Sequence, residues 1–171
     1  MSCLGVFFAL TPEQDKRLRK AHRQDGDEGV MEVIEEIEEA WVRKHLFETD
    51  KAWDAIHRCL TGDHTDGGEL DPTAGHKPLN LLILGGRLMH EGDDYTINLI
   101  TPAQVRRLAP ALAKITKKWM RGRFFQLDEK DCHYSIDEDQ FDYTWGWFKG
   151  LPAFFARAAR EGRSVIFTVD L

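Results

Sequence analysis

The sequence predicts an α+β fold. It reads as a single domain over residues 1–171, with a small mixed or antiparallel sheet that includes the N- and C-terminal strands and is covered by several α-helices. Three observations carry this prediction. Stretches rich in apolar, β-branched and aromatic residues stand at both ends of the chain, 3–10 and 164–169, and in its middle, 79–84 and 95–100. The intervals between them repeat their apolar residues at a helical period. With 42% hydrophobic and 30% charged residues, the 171-residue chain has the composition of an ordinary soluble globular domain. A chain of this length buries roughly 70% of the surface its unfolded form exposes.

The same numbers exclude several classes. A formal net charge of −6 argues against a general nucleic-acid binder, which needs a basic footprint to displace counterions. No apolar run approaches the length of about 18 residues that a membrane span needs. The opening MSCLGVFFAL lacks a basic leader and runs into a helix start, so it reads as a first strand and not as a signal peptide. Cys3, Cys59 and Cys132 are odd in number, widely spaced and free of any CxxC pattern. They suggest neither a disulfide framework nor a zinc site, and the simplest expectation is reduced thiols in the cytoplasm.

Taken in order, residues 3–10 form the first strand. Thr11-Pro12-Glu13-Gln14 is a capping box with proline at the first helical position, opening a short, largely exposed helix with only Leu18 and Ala21 to bury. DGDEG at 25–29 reads as a turn. From 30 to 47, Val30, Val33, Ile34, Ile37 and Trp41 make an apolar stripe opposite Glu32, Glu35, Glu36, Glu38 and Glu39. Arg43, Lys44 and His45 suit the negative end of that helix. Thr49 or Asp50 then caps the next helix, DKAWDAIHRCLTG at 50–62, which Gly62 stops.

Residues 62–78 carry no periodicity. Asp63, His64, Asp66, Glu69, Asp71 and His76 are oxygen and nitrogen donors there, but their spacing matches neither a calcium hand nor a helical zinc motif, and no metal is expected. Residues 79–84 read as a buried strand, Gly85-Gly86 as a positive-φ turn or a backbone cradle for an anion, and 92–94 as a second turn. Residues 95–100 are the next strand. Thr101-Pro102-Ala103-Gln104 then repeats the strand–TPxQ–helix corner. The helix that follows buries Val105, Leu108, Leu112 and Ile115, with a kink or break expected near Leu108 because of Pro110.

From 103 to 127 there is no acidic residue, which makes this the one basic surface: a solvated face, an anion or partner patch, or a contact with the acidic 32–39 face of a second copy. Ser135 and Glu138 form a capping box before two aromatic stripes. One holds Phe141, Trp145, Phe148, Pro152 and Phe155, the other Tyr143, Trp147, Leu151 and Phe154. Gly146, Gly150 and Pro152 predict a bend, Gly162 ends the helix, and 164–169 is the last strand.

Wound at about 100° per residue, the 50–62 helix places Ala52, Trp53, Ile56, Cys59 and Leu60 on one arc, with Asp50, Asp54, His57 and Thr61 on its flank. Asp54 stands one turn before Arg58, the spacing of an ion pair. His57 beside Asp54 and Asp50 is the one constellation suited to general-base chemistry. Its structural reading is a histidine that hydrogen-bonds a neighbouring segment to fix the helix. No nucleophile elbow, P-loop, dinucleotide fingerprint or zinc helix accompanies it. Trp53, Gly85, Gly86, Tyr143 and Trp147 are the residues suited to line a ligand pocket.

The segments MSCLG, DKAWDAIHRCLTG, PLNLLILGG, LITPAQV and AAREGRSVIF, in this order and across essentially the whole chain, resemble the YfbM-like family of bacterial proteins of unknown function. The most specific element is DK-x-W-x-x-x-H-x-x-LTG, carried by Asp50, Lys51, Trp53, His57, Leu60, Thr61 and Gly62. Where the family often shows GYG-x-A-R before the TP corner, this chain has Asp94-Tyr95-Thr96-Ile97-Asn98 and lacks the arginine. The resemblance implies an α+β fold and a cytoplasmic bacterial protein, and it implies no activity. The expectation is therefore a non-catalytic module for a small molecule or an unknown protein partner, without cofactor, nucleic acid or membrane, as a monomer or weak homodimer. A small hydrolase built on Asp54 and His57, or an acidic immunity- or inhibitor-like protein, are the alternatives.

Overall fold

Strand β1 (Gly5–Ala9) alternates its side chains across two faces, placing Phe7 in one apolar core and Phe8 in another. The computed structural model describes residues 4–64, 70–92 and 95–170. Cys3, Asp66, Glu69 and the Asp93-Asp94 pair of the expected turn lie outside them. Thr11 ends β1 in a formed capping box: its side chain accepts the Gln14 N–H at 3.1 Å, and Gln14 Oε1 accepts the Thr11 N–H at 2.8 Å. Helix α1 (Pro12–Gln24) buries Leu18 and Ala21, as expected.

The turn expected at 25–29 is shorter, because Gly26 takes a positive φ and already starts helix α2 (Gly26–Ala40). That helix does not reach residue 47. Trp41 adopts the left-handed conformation (φ 39°, ψ 51°) and ends it where its apolar stripe ends. Residues 43–45 form a 3-10 turn, and Leu46–Asp50 is strand β2, an edge strand that the sequence reading placed inside and just beyond the helix. Thr49 and Asp50 do not cap the following helix α3 (Trp53–Thr61). The Thr49 hydroxyl donates to the Gly5 carbonyl at 2.8 Å, tying β2 to β1, and Asp50 accepts the Lys51 N–H.

Residues 79–84 are not a strand. They form a 3-10 turn whose hydrogen bonds are local, and Leu81, Leu82 and Ile83 are buried. A run that is apolar on every side fits a strand or a buried turn equally well by periodicity. The strand is instead β3 (Arg87–Glu91), which pairs with β4 (Tyr95–Ile100). Thr101 and Gln104 repeat the corner of Thr11 and Gln14, with N-cap ψ values of 159° and 158°. Helix α4 (Pro102–Leu112) runs past Leu108 to Leu112, and Ile115 falls between it and α5 (Lys117–Phe124), whose cap is Thr116. Asp137, not Ser135, caps α6 (Glu138–Phe148). The expected bend is a break before α7 (Leu151–Arg160), and Gly162 at φ +64° precedes β5 (Val165–Asp170).

The sheet order is β2-β1-β5-β4-β3, antiparallel throughout, with the terminal strands adjacent at its centre. Helices α1 and α2 cover one face, against Phe8, Ile97, Leu99 and Ile166. Residues of α3 to α7 cover the other, against Phe7, Val165, Phe167 and Val169. Substituting either corner threonine tests this frame. Thr11→Ala and Thr101→Ala should each lower the unfolding free energy by about 1 kcal/mol in urea melts. The double variant should lose the sum to within about 0.5 kcal/mol, because the corners are independent.

Candidate functional site

Helix α3 is buried on nearly every side. Ala52, Trp53, Ile56, Cys59 and Leu60 lie in the core, the arc the sequence predicts. The flank divides. Asp50 and Asp54 keep partial exposure, whereas His57 is 1% exposed and Thr61 is buried. Asp54 Oδ1 pairs with Arg58 Nε at 3.1 Å and accepts a 2.7 Å hydrogen bond from the Tyr134 hydroxyl. Asp50 has φ 50° and is occupied at the Lys51 N–H, which also lies 3.3 Å from the Tyr143 hydroxyl. Burial, with the Asp50 carboxylate next, raises the Tyr143 pKa.

His57 faces the loop after α3. Its Nε2 stands 3.5 Å from Asp63 Oδ2, at ion-pair rather than hydrogen-bond distance, and its ring hydrogen-bonds the backbone of Asp71. Asp63 Oδ2 accepts the Asp71 N–H at 2.7 Å. Burial lowers the His57 pKa and outweighs the opposing charge of Asp63, so the imidazole is neutral at pH 7. Asp71 in turn accepts the N–H and the hydroxyl of Thr73. Asp63 and Asp71 thus serve the loop's own geometry, and among the described residues no three His, Cys, Asp or Glu side chains stand together to hold a metal ion. Burial pushes the Cys59 thiol up to about 12, and Cys132 is also raised by burial.

A pocket of about 740 Å³ lies on the α3 side of the sheet, at its β3–β4 end. Its position follows from the alternation of β4: Ile97 and Leu99 enter the α1–α2 core, Ile100 lies under the helices, and Thr96 and Asn98 face the space beyond them. Leu88 and Glu91 of β3 and Val169 of β5 complete the floor. Trp53 is one wall, and the turn of Leu84, Gly85 and Gly86 is another. Neither glycine has a positive φ, contrary to the expected turn; what each needs is room. A Cβ on Gly85 would lie 2.3 Å from the Asn80 carbonyl oxygen, and one on Gly86 would lie 2.9 Å from that of Leu99.

Trp53, Gly85 and Gly86 therefore share the pocket. Asp50, Asp54, His57, Tyr143 and Trp147 are not among its lining. Tyr143 and Trp147 are half-buried and pack edge-to-face at 6.5 Å. Asn98 is a residue the sequence reading missed. It is 2% exposed, lines the floor, and makes no side-chain hydrogen bond among the described residues. The signal was available: in YTINLI, Thr96 and Asn98 put two polar side chains on one face of an otherwise apolar strand. The basic stretch is partly neutralised by α6, through Lys117–Asp142 at 2.7 Å and Arg121–Glu138, while Arg123 donates to the Cys59 carbonyl.

The ties of His57 set two expectations. His57→Ala should cost about 2 kcal/mol or more, because it empties a buried site and removes the imidazole that ties α3 to the Asp63–Asp71 loop. The pH dependence has a definite sign. Unfolded His57 binds a proton below about pH 6.5, whereas the folded protein takes it up only at lower pH. In that window the unfolded state holds more protons, so stability falls as pH falls below 6.5. His45, whose pKa is also lowered by burial, contributes with the same sign. Urea melts from pH 8 to 5 should show the fall in the wild type and a shallower fall in His57→Gln.

Over residues 1–168 the chain matches the family described as a domain of unknown function (DUF1877). The crystal structure of YfbM from Escherichia coli, a protein of unknown function, resembles it with a TM-score of 0.69 over 97% of this chain and 99% of that one. The two are 18% identical, so the likeness speaks for the fold. No curated protein matches. Among the described residues no helix is long and apolar enough to cross a membrane. The resemblance carried by DKAWDAIHRCLTG and its neighbours thus holds along the whole fold, and the chain belongs to the YfbM-like DUF1877 family.

Proposed function

We propose that the protein is a non-catalytic binding module of the cytoplasm that takes a small organic molecule in the pocket between Trp53 and the Gly85-Gly86 turn. One observation supports this above the others: Asn98, 2% exposed, faces the pocket without a side-chain partner. An amide that opens on a pocket and bonds no protein side chain is available to a ligand there, and a polar group in a mostly apolar lining fixes a ligand's orientation. The mostly apolar lining with a few convergent polar groups is the usual character of a small-molecule site.

The Asp54–His57 alternative has less behind it. His57 is 1% exposed, engaged by the loop, and outside the pocket lining. The immunity-like alternative rests on acidic composition. The cytoplasmic location is supported by the two buried free thiols, Cys59 and Cys132.

A thermal-melt screen of wild type against Asn98→Leu and Trp53→Leu tests the proposal. A pocket ligand at a hundredfold excess over its Kd should raise the wild-type Tm by about 5–10 °C. Asn98→Leu should weaken it at least about tenfold. Binding that is undiminished in both variants would place the ligand elsewhere.

A further inference from the structure

We propose that the pocket selects a small organic cation, an amine with an apolar body, over phosphorylated or carboxylate ligands; this rests on the binding reading above. The argument is one of charge and of the polar groups available. Among the described residues Glu91 is the one charged side chain in the lining, and no Lys, Arg or His accompanies it. An anion would find no counter-charge there. The backbone cradle that Gly85-Gly86 suggests for an anion is also half spent, since the Gly85 N–H already donates to the Asn80 carbonyl at 3.0 Å.

An ammonium group finds the reverse. The Asn98 carbonyl oxygen and the hydroxyls of Thr96 and Thr73 are acceptors, Glu91 supplies the opposite charge, and Trp53 supplies an indole, the aromatic that attracts cations best. Leu70, Pro72, Leu84, Leu88 and Val169 provide an apolar surface for the rest of the molecule. Leu88, which lines the pocket with Glu91, is 46% exposed, an apolar side chain left open to solvent. The net charge of −6 favours approach of a cation from a distance.

Three probes that share a phenyl body and differ in charge test this: 2-phenylethylamine, 3-phenylpropanamide and 3-phenylpropanoate, titrated against wild type, Glu91→Gln and Asn98→Leu and followed by tryptophan fluorescence. Glu91 is exposed on β3, so Glu91→Gln leaves the fold intact. The amine should bind about tenfold tighter than the carboxylate. Glu91→Gln should reduce that preference and leave the amide unchanged, while Asn98→Leu should weaken all that bind. Carboxylate or amide binding as tight as the amine would overturn the charge preference, and the pocket would still stand if Asn98→Leu weakened them. Absence of amine binding up to about 10 mM would also overturn the preference, since the weakest fragments bind near this range. The Asn98→Leu arm of the ligand screen then decides the pocket reading by itself.

Discussion

The pairing of β1 with β5 is the constraint on which the rest depends. It brings residues 5–9 against 165–169 and sets Phe7 opposite Phe167 and Phe8 opposite Ile166. Because side chains alternate, each strand feeds both cores at once. The Phe7 and Phe167 rings stand 4.9 Å apart beneath Phe154 and Phe155, while Phe8 and Ile166 meet α1 and α2. Full burial of such a side chain contributes about 1.5–3 kcal/mol, so the central pair anchors both helical layers. The pocket is a consequence. The helices over Phe7 and Phe167 stop short of the far end of β4, and the sheet surface left open there carries Thr96 and Asn98.

Helix α3 stands at that boundary. Trp53 forms both core and pocket wall. His57 holds the following loop through Asp63 and Asp71, the Thr61 hydroxyl donates to the His57 carbonyl, and Gly62 ends the helix at φ 73°. On the next face, Asp54 gathers Arg58 and Tyr134, bringing the 128–137 segment onto the helix. Buried charged pairs of this kind add little net stability but cost much when one partner is removed. They fix geometry, and here the geometry they fix is the position of Trp53.

Much of this was legible in the sequence because the decisive signals were local. The two TPxQ corners specify their own hydrogen bonds, and both formed. The apolar arc of α3, the stop at Gly62, the break around Gly150 and the last strand likewise follow from residues close in the chain. What was not legible depends on tertiary partners. Strand β2 is strand because β1 lies beside it, and nothing within LFETD declares that. Residues 79–84 are apolar all round, which period alone cannot assign. Gly85 and Gly86 needed the positions of Asn80 and Leu99 to reveal their role. His57 is amphipathic by its wheel position but buried by a loop whose path the sequence did not show. Asn98 was visible as a polar interruption, and became meaningful only once the end of the helical layer was known.

The central claim is that recognition takes place at the open end of the sheet and that the polar flank of α3 is internal scaffolding. The side-chain amide of Asn98 reports on it most directly. In ¹⁵N–¹H spectra of the wild-type protein titrated with a ligand that stabilises it, the Asn98 NH₂ pair and the Trp53 indole should shift and saturate together, with the His57 ring resonances nearly still. Shifts centred on His57 and Asp63, with the Asn98 amide unmoved, would contradict the account and return the site to the helix flank.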